Sequence, residues 1–258
     1  MKMANKKVIL DAGHGFNTSG KRSPASMGTV VREWTLNNAV CNYIQEILKN
    51  YNVTVVRVDD TTGKTDVPLS TRVAKTNAQK PNLFVSIHHN AGGGTGVETY
   101  WHTYGSTADK KVAQIIQSNL VKRTGMRNRG VKQASFAVLN CKSSIPAVLV
   151  EGGFYDNHAD FDYITTIKGQ KAYAQAVADS IIQYLGLTKK TTTTTTKLEF
   201  KIKVVNCNYL NARKGAGTNY PVVSTVKVGT ILTIVGEVNG WYKTKSGLYV
   251  SKSYCQKI

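Results

Sequence analysis

Residues 8–15 read VILDAGHG, an apolar run of strand length that ends in a histidine between two glycines. Two later stretches share this design. Residues 83–90 read LFVSIHHN, and residues 146–154 read PAVLVEGGF. In open α/β sheets, functional residues gather beyond the carboxyl ends of the strands. We therefore expect three strands to bring histidines and a glutamate to one edge of a sheet.

Helical patterns separate these predicted strands. Apolar residues recur at a spacing of three and four in residues 36–48, 112–120 and 172–185, which is typical of helices that pack one face on a core. Residues 53–58 and 96–102 predict further strands. The alternation of strands and helices indicates an α/β domain with a largely parallel sheet that is covered on both faces.

Six consecutive threonines at residues 191–196 mark a change in organisation. They are flanked by lysines and have no apolar face, so they indicate a solvated linker. We place the linker at residues 189–197, after a first domain at residues 1–188. Residues 198–258 contain short β-branched segments separated by Gly, Asn and Lys turns, which predict a small all-β barrel.

The chain carries 34 basic and 15 acidic residues, a formal net charge of +19. Residues 1–188 hold +9 of this charge and residues 198–258 hold +7. Such a field favours a polyanionic partner. The sequence lacks the helix-turn-helix, zinc-finger and RNP patterns of nucleic-acid-binding proteins, and a bacterial wall with teichoic acids is also a polyanion. An apolar run of about 18 residues or more, which would predict a membrane span, is absent from the sequence.

The amino terminus leads directly into the first predicted strand. A signal peptide needs a basic region, about 7–15 apolar residues and a cleavage site, and residues 1–7 leave no room for them. We expect synthesis in the cytoplasm and action on an external substrate after release, for instance by lysis. The four cysteines lack the Cys-x-x-Cys spacing of thiolate zinc sites. Cys41 is expected in the core, and a disulfide between Cys207 and Cys255 is not favoured.

Four residues suit a catalytic zinc site. Such a site takes three protein ligands from His and carboxylate groups and keeps one position open. The metal polarises the scissile carbonyl, and a separate glutamate acts as general base. His14, Glu33 and His88 as ligands, with Glu151 as the base, fill these roles. Glu33 taken alone is more typical of a residue that compensates a helix dipole.

The remaining polar candidates carry weaker patterns. His89 follows His88 on a predicted strand and therefore points to the opposite face, where it is expected to pack or to touch substrate. His102 and His158 have no partner pattern and are expected to be surface or structural residues. Asn90 is expected to hold the loop of the metal site, to contact substrate or to form an Asx turn.

The three quoted stretches resemble the signature blocks of the N-acetylmuramoyl-L-alanine amidase 3 family. Residues 69–74 and 129–134 resemble further family segments, and the likeness covers nearly all of residues 5–187. The resemblance implies a mixed six-stranded sheet flanked by helices.

The same resemblance assigns roles to individual residues. It implies that zinc is bound by His14, Glu33 and His88, and that Glu151 is catalytic. We add Asn90 and Arg129 as candidate substrate-binding residues.

The second predicted domain has a resemblance of its own. Residues 209–220 read YLNARKGAGTNY and look like the opening of bacterial SH3-like domains, with further likeness at residues 238–243 and 248–250. The resemblance implies that this module binds the peptide part of the cell wall. Trp241 and Tyr220 are candidate binding residues, and core packing would suit either ring as well.

The sequence thus predicts a zinc-dependent N-acetylmuramoyl-L-alanine amidase that hydrolyses the amide between N-acetylmuramic acid and L-alanine in peptidoglycan. A phage or prophage endolysin is the expected setting, with an autolytic or mother-cell amidase as the alternative. A zinc peptidase that cuts the stem peptide and a wall-binding protein without catalysis stay open as other functions. Expected partners are peptidoglycan and wall polyanions, with no nucleic acid and no membrane insertion.

Overall fold

The computed structural model describes residues 6–190 and 199–258. The chain divides into two compact units, Met1–Lys190 and Thr191–Ile258. Most of the predicted linker lies outside the described residues. Its first two residues belong to the first unit, because Lys189 forms a β-bridge with Tyr51 and the Lys190 N–H donates to the Asn50 carbonyl at 2.8 Å.

The first unit is an α/β domain built on one six-stranded sheet. Its strands are β1 (Lys6–Ala12), β2 (Val53–Arg57), β3 (Leu83–Asn90), β4 (Val97–His102), β5 (Asn128–Ala134) and β6 (Ala147–Phe154). Its helices are α1 (Glu33–Leu48), α2 (Leu69–Gln79), α3 (Thr107–Thr124), α4 (His158–Ile164) and α5 (Ile167–Leu185). The strand order is β2-β1-β3-β6-β4-β5.

The sheet is mixed, as the family resemblance implied, rather than largely parallel, as the alternation of elements suggested. Strands β2, β1, β3 and β6 are mutually parallel, whereas β4 runs antiparallel to β6, and β5 is parallel to β4. The reason lies in the connection between β3 and β4, which is only residues 91–96. A parallel crossover needs about a dozen residues or more, so β4 starts at the edge where β3 ends and runs back.

Both faces of the central strands are buried. Alternate residues of β1 divide between two apolar clusters, with Val8 and Leu10 on one face and Ile9 on the other. Helices α1, α3 and α5 cover the first face, and their apolar stripes are the ones the sequence predicted. Cys41 lies in this core and is fully buried. The opposite face is covered mainly toward the amino ends of β3 and β6, which leaves their carboxyl ends free to carry polar groups.

A fully buried arginine on α2 holds the carboxyl end of β1. All five N–H groups of Arg72 are satisfied, by Asp11 Oδ1 (2.7 Å), Ala12 O (2.7 Å), His14 O (2.9 Å), Asp66 Oδ1 (2.9 Å) and Val67 O (2.8 Å). Ser86 donates to the other oxygen of Asp11 at 2.6 Å. This network fixes the loop that follows β1, including the backbone of His14.

The second unit is a small antiparallel β-structure, which confirms the predicted all-β character. Its strands are β7 (Phe200–Val204), β8 (Tyr209–Arg213), β9 (Val222–Lys227), β10 (Ile231–Val238), β11 (Trp241–Thr244), β12 (Tyr249–Ser251) and β13 (Cys255–Lys257), in the order β13-β7-β10-β11-β12-β8-β9. A compact core around Ile202, Ile234 and Val250 holds the unit together. Cys207 and Cys255 pack against this core as free thiols.

Within the described ranges, none of the helices has the length and apolar character that a membrane crossing requires.

Replacing Arg72 tests its structural role. We expect Arg72→Met to lower the free energy of unfolding of the first unit by about 3–5 kcal/mol, because it leaves the buried Asp11 carboxylate without its cation. Arg123→Met is the matched control, since Arg123 pairs with Asp179 on the surface and such pairs contribute about 1 kcal/mol or less. Chemical denaturation measures both. Equal losses in the two variants would contradict the proposed role.

Candidate active site

Three side chains from separate elements meet at the carboxyl edge of β1 and β3. His14 Nε2 lies 3.3 Å from Glu33 Oε2, and His88 Nδ1 lies 3.1 Å from Glu33 Oε1. The two imidazole rings stand at 87° to each other with centroids 5.0 Å apart. One ligand atom from each residue lies within 4.8 Å of the others. The structure thus gathers the three predicted ligands around one point.

The backbone around His14 is shaped for this arrangement. His14 adopts a left-handed conformation with φ of 68°, which costs free energy for a residue with a side chain. Its neighbour Gly13 lies directly under the His88 ring, where an added Cβ would stand 2.0 Å from the ring atom Cε1. Glycine at this position therefore allows the two histidines to approach.

A buried amide on α1 supports the cluster from the other side. Asn37 lies one turn after Glu33 and donates to the Gly13 carbonyl at 3.1 Å. Its Oδ1 lies 2.8 Å from His89 Nδ1. Burial lowers the pKa of His89 to about 4, so this imidazole is neutral at ordinary pH and donates to Asn37. His89 is thus a packing residue on the face opposite His88, which is the first of the two roles expected for it.

Glu33 remains ionised although it is buried. Burial alone raises the pKa of a carboxyl, but the hydrogen bonds to His14 and His88 outweigh it and hold the pKa of Glu33 well below its usual range. Burial alone would lower the pKa of His88, but the hydrogen bond to Glu33 outweighs it, and the pKa of His88 is raised above its usual value. Two imidazole nitrogens on either side of a buried carboxylate are the ligand types of a catalytic metal site.

Glu151 lies beside this cluster in a different environment. It is the β6 partner of His88 in the parallel register, so both side chains point to the same face of the sheet. Its Oε2 is buried and has no hydrogen-bond partner among the described residues. Burial raises the pKa of Glu151 to about 7. A carboxyl with this pKa can exchange a proton near neutral pH.

Tyr173 of α5 braces the two strands that carry His88 and Glu151. Its hydroxyl lies 2.7 Å from the Val150 carbonyl and 3.3 Å from the His88 carbonyl. The ring lies under Gly152, where an added Cβ would stand 1.9 Å from it. The glycine after Glu151 is therefore needed for this contact.

The next strand adds a second polar group that the sequence had not singled out. Glu98 of β4 is buried and is the antiparallel partner of Glu151. It accepts hydrogen bonds from four side chains: Asn90 Nδ2 (2.6 Å), Tyr100 OH (2.9 Å), Arg129 Nε (2.7 Å) and Lys132 Nζ. The candidates Asn90 and Arg129 therefore meet at Glu98. Asn90 also accepts from the N–H of Ala91, the next residue, whereas an Asx turn would use the N–H two residues on.

A small cavity opens beside the histidine pair. It has a volume of about 230 Å³ and is lined by residues that include His14, His88, Val67, Pro68 and Leu69. It offers space next to the cluster for part of a bound molecule.

The candidates of the second unit are separate from each other. Trp241 lines a cavity of about 340 Å³ together with Tyr209, Arg213 and Tyr254. Tyr220 does not line this cavity; its ring lies over Gly215, where an added Cβ would stand 2.5 Å from it. In the first unit, His102 accepts from the Tyr104 backbone and His158 is exposed at the start of α4.

A family model described as N-acetylmuramoyl-L-alanine amidase matches residues 8–183. The chain belongs to this amidase family. A second model, described as a bacterial SH3 domain, matches residues 208–256. These two matches fall in the two compact units.

Individual relatives agree with this membership. The amidase is 32% identical to the endolysin of Bacillus phage SPP1, with 96% of each sequence covered. It is 30% identical to N-acetylmuramoyl-L-alanine amidase CwlM of Bacillus licheniformis, over 71% of this chain and 70% of the relative. The crystal structure of N-acetylmuramoyl-L-alanine amidase from Clostridium difficile 630 is similar with a TM-score of 0.65 and 29% identity, over 71% of this chain and 98% of the other.

The raised pKa of Glu151 predicts how metal-free amidase responds to pH. Between pH 4.5 and about 7 the unfolded chain releases the Glu151 proton while the folded chain keeps it. Stability conferred by this group is therefore lost as the pH rises. We expect Glu151→Gln to be more stable than the parent above pH 7, by about 1–3 kcal/mol, and equal to it near pH 4. Thermal unfolding of chelator-treated protein measures the difference, and a gain that is the same at both pH values would contradict the assignment.

Proposed function

We propose that this amidase hydrolyses the amide between N-acetylmuramic acid and L-alanine in peptidoglycan, with zinc as its cofactor. The observation that carries the proposal is the group of His14, Glu33 and His88 beside Glu151, whose buried Oε2 has no hydrogen-bond partner among the described residues. Similarity to proteins named N-acetylmuramoyl-L-alanine amidase supports the choice of bond.

The donor set fits zinc. Two imidazole nitrogens and one carboxylate oxygen are ligands that Zn²⁺ takes in catalytic sites, where a fourth position stays open. His14, Glu33 and His88 would hold the ion, and Asn37 and Arg72 fix the backbone and side chains behind them. When bound, zinc supplies Lewis-acid polarisation of the scissile carbonyl.

Glu151 is assigned the proton transfers. Its free oxygen accepts the proton of the attacking water and delivers it to the leaving nitrogen of L-alanine. Burial raises the pKa of Glu151 to about 7 in the metal-free chain, and a nearby cation lowers the pKa of a carboxyl, which favours the ionised form that accepts the proton of water. Its position next to His88 in the sheet keeps it beside the ligands without being one of them.

The second unit is assigned to wall binding. We place catalysis in residues 1–188 and binding in residues 198–258, joined by the linker at 189–197. Trp241, Tyr209 and Tyr254 give the cavity of the second unit an aromatic lining suited to a peptide,. The +7 charge of these residues favours additional attraction to wall polyanions. Similarity to a phage endolysin along both units supports release at lysis as the setting.

Zinc binding is tested by metal content. We expect one zinc per chain in the parent protein and less than about a tenth of that in His88→Ala, because a three-residue site loses a ligand. His102→Ala is the matched control, since His102 lies outside the cluster. Elemental analysis after dialysis measures the stoichiometry. Activity that survives complete removal of metal would overturn the zinc assignment.

The reaction is tested by products and by Glu151→Gln. Digestion of peptidoglycan is expected to release L-alanine amino termini without new reducing sugars, whereas a stem-peptide peptidase would expose other amino termini. Glu151→Gln is expected to keep its zinc and to lose about 10²–10⁴-fold in kcat, the usual contribution of a positioned general base. A variant that loses zinc and recovers turnover with added metal would identify Glu151 as a ligand instead.

Wall binding is tested in the full chain. Tyr209 is exposed and lines the cavity of the second unit. We expect Tyr209→Ala to weaken binding to purified walls by about fivefold or more, which corresponds to about 1 kcal/mol, and to leave hydrolysis of a soluble muramyl peptide unchanged. Tyr104→Ala is the control, since Tyr104 is the more exposed tyrosine of the first unit. Co-sedimentation with walls at low and high salt gives both results. Equal binding by the parent and Tyr209→Ala would argue against this cavity.

A further inference from the structure

A row of charged side chains extends from the metal-ligand cluster across four strands. His88 of β3 is the partner of Glu151 in β6, and Glu151 is the partner of Glu98 in β4. Strand β5 lies beyond β4 and supplies Arg129 to Glu98. Neighbouring strands are about 4.8 Å apart, so the backbone of β5 lies about 10 Å from that of Glu151.

At the β5 end of this row, two cations, Arg129 and Lys132, pair with the single carboxylate of Glu98. Both Arg129 and Lys132 donate to the same oxygen of Glu98. Glu98 is 2% exposed, whereas the side chains of Arg129 and Lys132 are 27% and 37% exposed. The anion therefore lies beneath two cations that face outward.

The guanidinium of Arg129 is also held in place by two contacts that leave its Nη groups available. Arg129 uses Nε for Glu98, and its guanidinium lies 4.8 Å from the centre of the Phe154 ring. Neither of its Nη groups donates to an acceptor in the part of the chain that the structure describes. A fixed guanidinium with two parallel N–H groups is suited to bind a carboxylate at low entropic cost.

The proposed reaction tells which part of the substrate reaches these cations. Glu151 gives its proton to the leaving nitrogen, so the peptide that begins with L-alanine lies on the Glu151 side of the cluster. A peptide that runs from there past Glu98 would reach β5, the strand that supplies Arg129. One extended residue spans about 3.3–3.6 Å, so a group on the residue after L-alanine lies about 7 Å from the scissile bond, within reach of the Arg129 side chain.

We propose that Arg129 and Lys132, held by Glu98, form a binding site for the α-carboxylate of the second stem-peptide residue. This inference rests on the proposed function, because it takes the position of the peptide from the role of Glu151. It predicts that the protein prefers stem peptides with D-glutamate at this position over those with the α-carboxamide form, D-isoglutamine.

Two matched substrates test the preference. They are N-acetylmuramoyl-L-alanyl-γ-D-glutamyl-L-lysine amide and the same compound with D-isoglutamine, which differ only in the α-carboxylate. Their binding to full-length, zinc-loaded Glu151→Gln protein is measured by calorimetry, so that the readout does not depend on turnover. We expect the glutamate form to bind about tenfold or more tightly, as loss of a charge-assisted pair implies.

Variants at the two cations separate binding from structure. Introducing Arg129→Gln and Lys132→Gln together into the Glu151→Gln protein is expected to abolish the preference, so that both compounds bind equally. Arg129→Lys alone is expected to retain part of the preference for the glutamate form. Lys110→Gln, which removes an exposed cation of α3, is expected to retain the whole preference. Melting temperatures check that each variant is folded.

Two results would overturn the inference. One is equal binding of the two compounds before the cations are changed. The other is a loss of affinity for both compounds by the same factor in the double variant, as expected from a purely structural role. If the parent protein with Glu151 intact releases no L-alanine amino termini from either compound, the proposed function fails, and the binding measurement still decides whether a carboxylate site exists.

Discussion

The site depends on the buried guanidinium of Arg72. It carries five donors into a region where backbone carbonyls and two carboxylates need partners, and it satisfies them together. Because it fixes the His14 carbonyl, the left-handed conformation of His14 is maintained against its intrinsic cost. Asn37 holds Gly13 from the opposite side. The loop that presents His14 is thus held by Arg72 of α2 on one side and by Asn37 of α1 on the other.

Two glutamates near this loop differ in what surrounds them. Glu33 touches two imidazoles and stays ionised, whereas the buried oxygen of Glu151 has no donor within the described ranges and burial raises its pKa to about 7. The chemical group is the same in both cases. Their hydrogen bonds differ, so Glu33 is suited to hold a cation and Glu151 is suited to move a proton. The difference follows from their positions, because Glu33 begins α1 and Glu151 lies in β6.

The sequence predicted the parts of this structure that depend on local pattern. Apolar runs ending in His14, His88 and Glu151 marked the strands, and the threonine run marked the change of unit. The reversal of β4 was missed by the alternation argument, although the short loop at residues 91–96 carried the signal. Glu33 required the family resemblance, because its own context suits a helix dipole equally.

Residues that act through burial were harder to find. Each of four polar side chains has at least one partner more than 20 residues away, which sequence spacing does not reveal: Asn37, Arg72, Glu98 and Tyr173. A polar residue on an otherwise apolar helix stripe, as Asn37 is on α1, was the one available signal. The pairing of Asn90 with Glu98 likewise depends on the fold. Such contacts arise from the packing of elements and not from the elements themselves.

The first unit ends at a fixed place. Lys189 and Lys190 are bonded to Tyr51 and Asn50, just before β2 begins, and His14, His88 and Glu151 lie toward the opposite ends of the parallel strands. Lys190 therefore lies at the ends of the parallel strands opposite those that carry His14, His88 and Glu151. For the design of chimeric lytic enzymes, Lys190 is an attachment point on the first unit that lies away from the three side chains of the proposed chemistry.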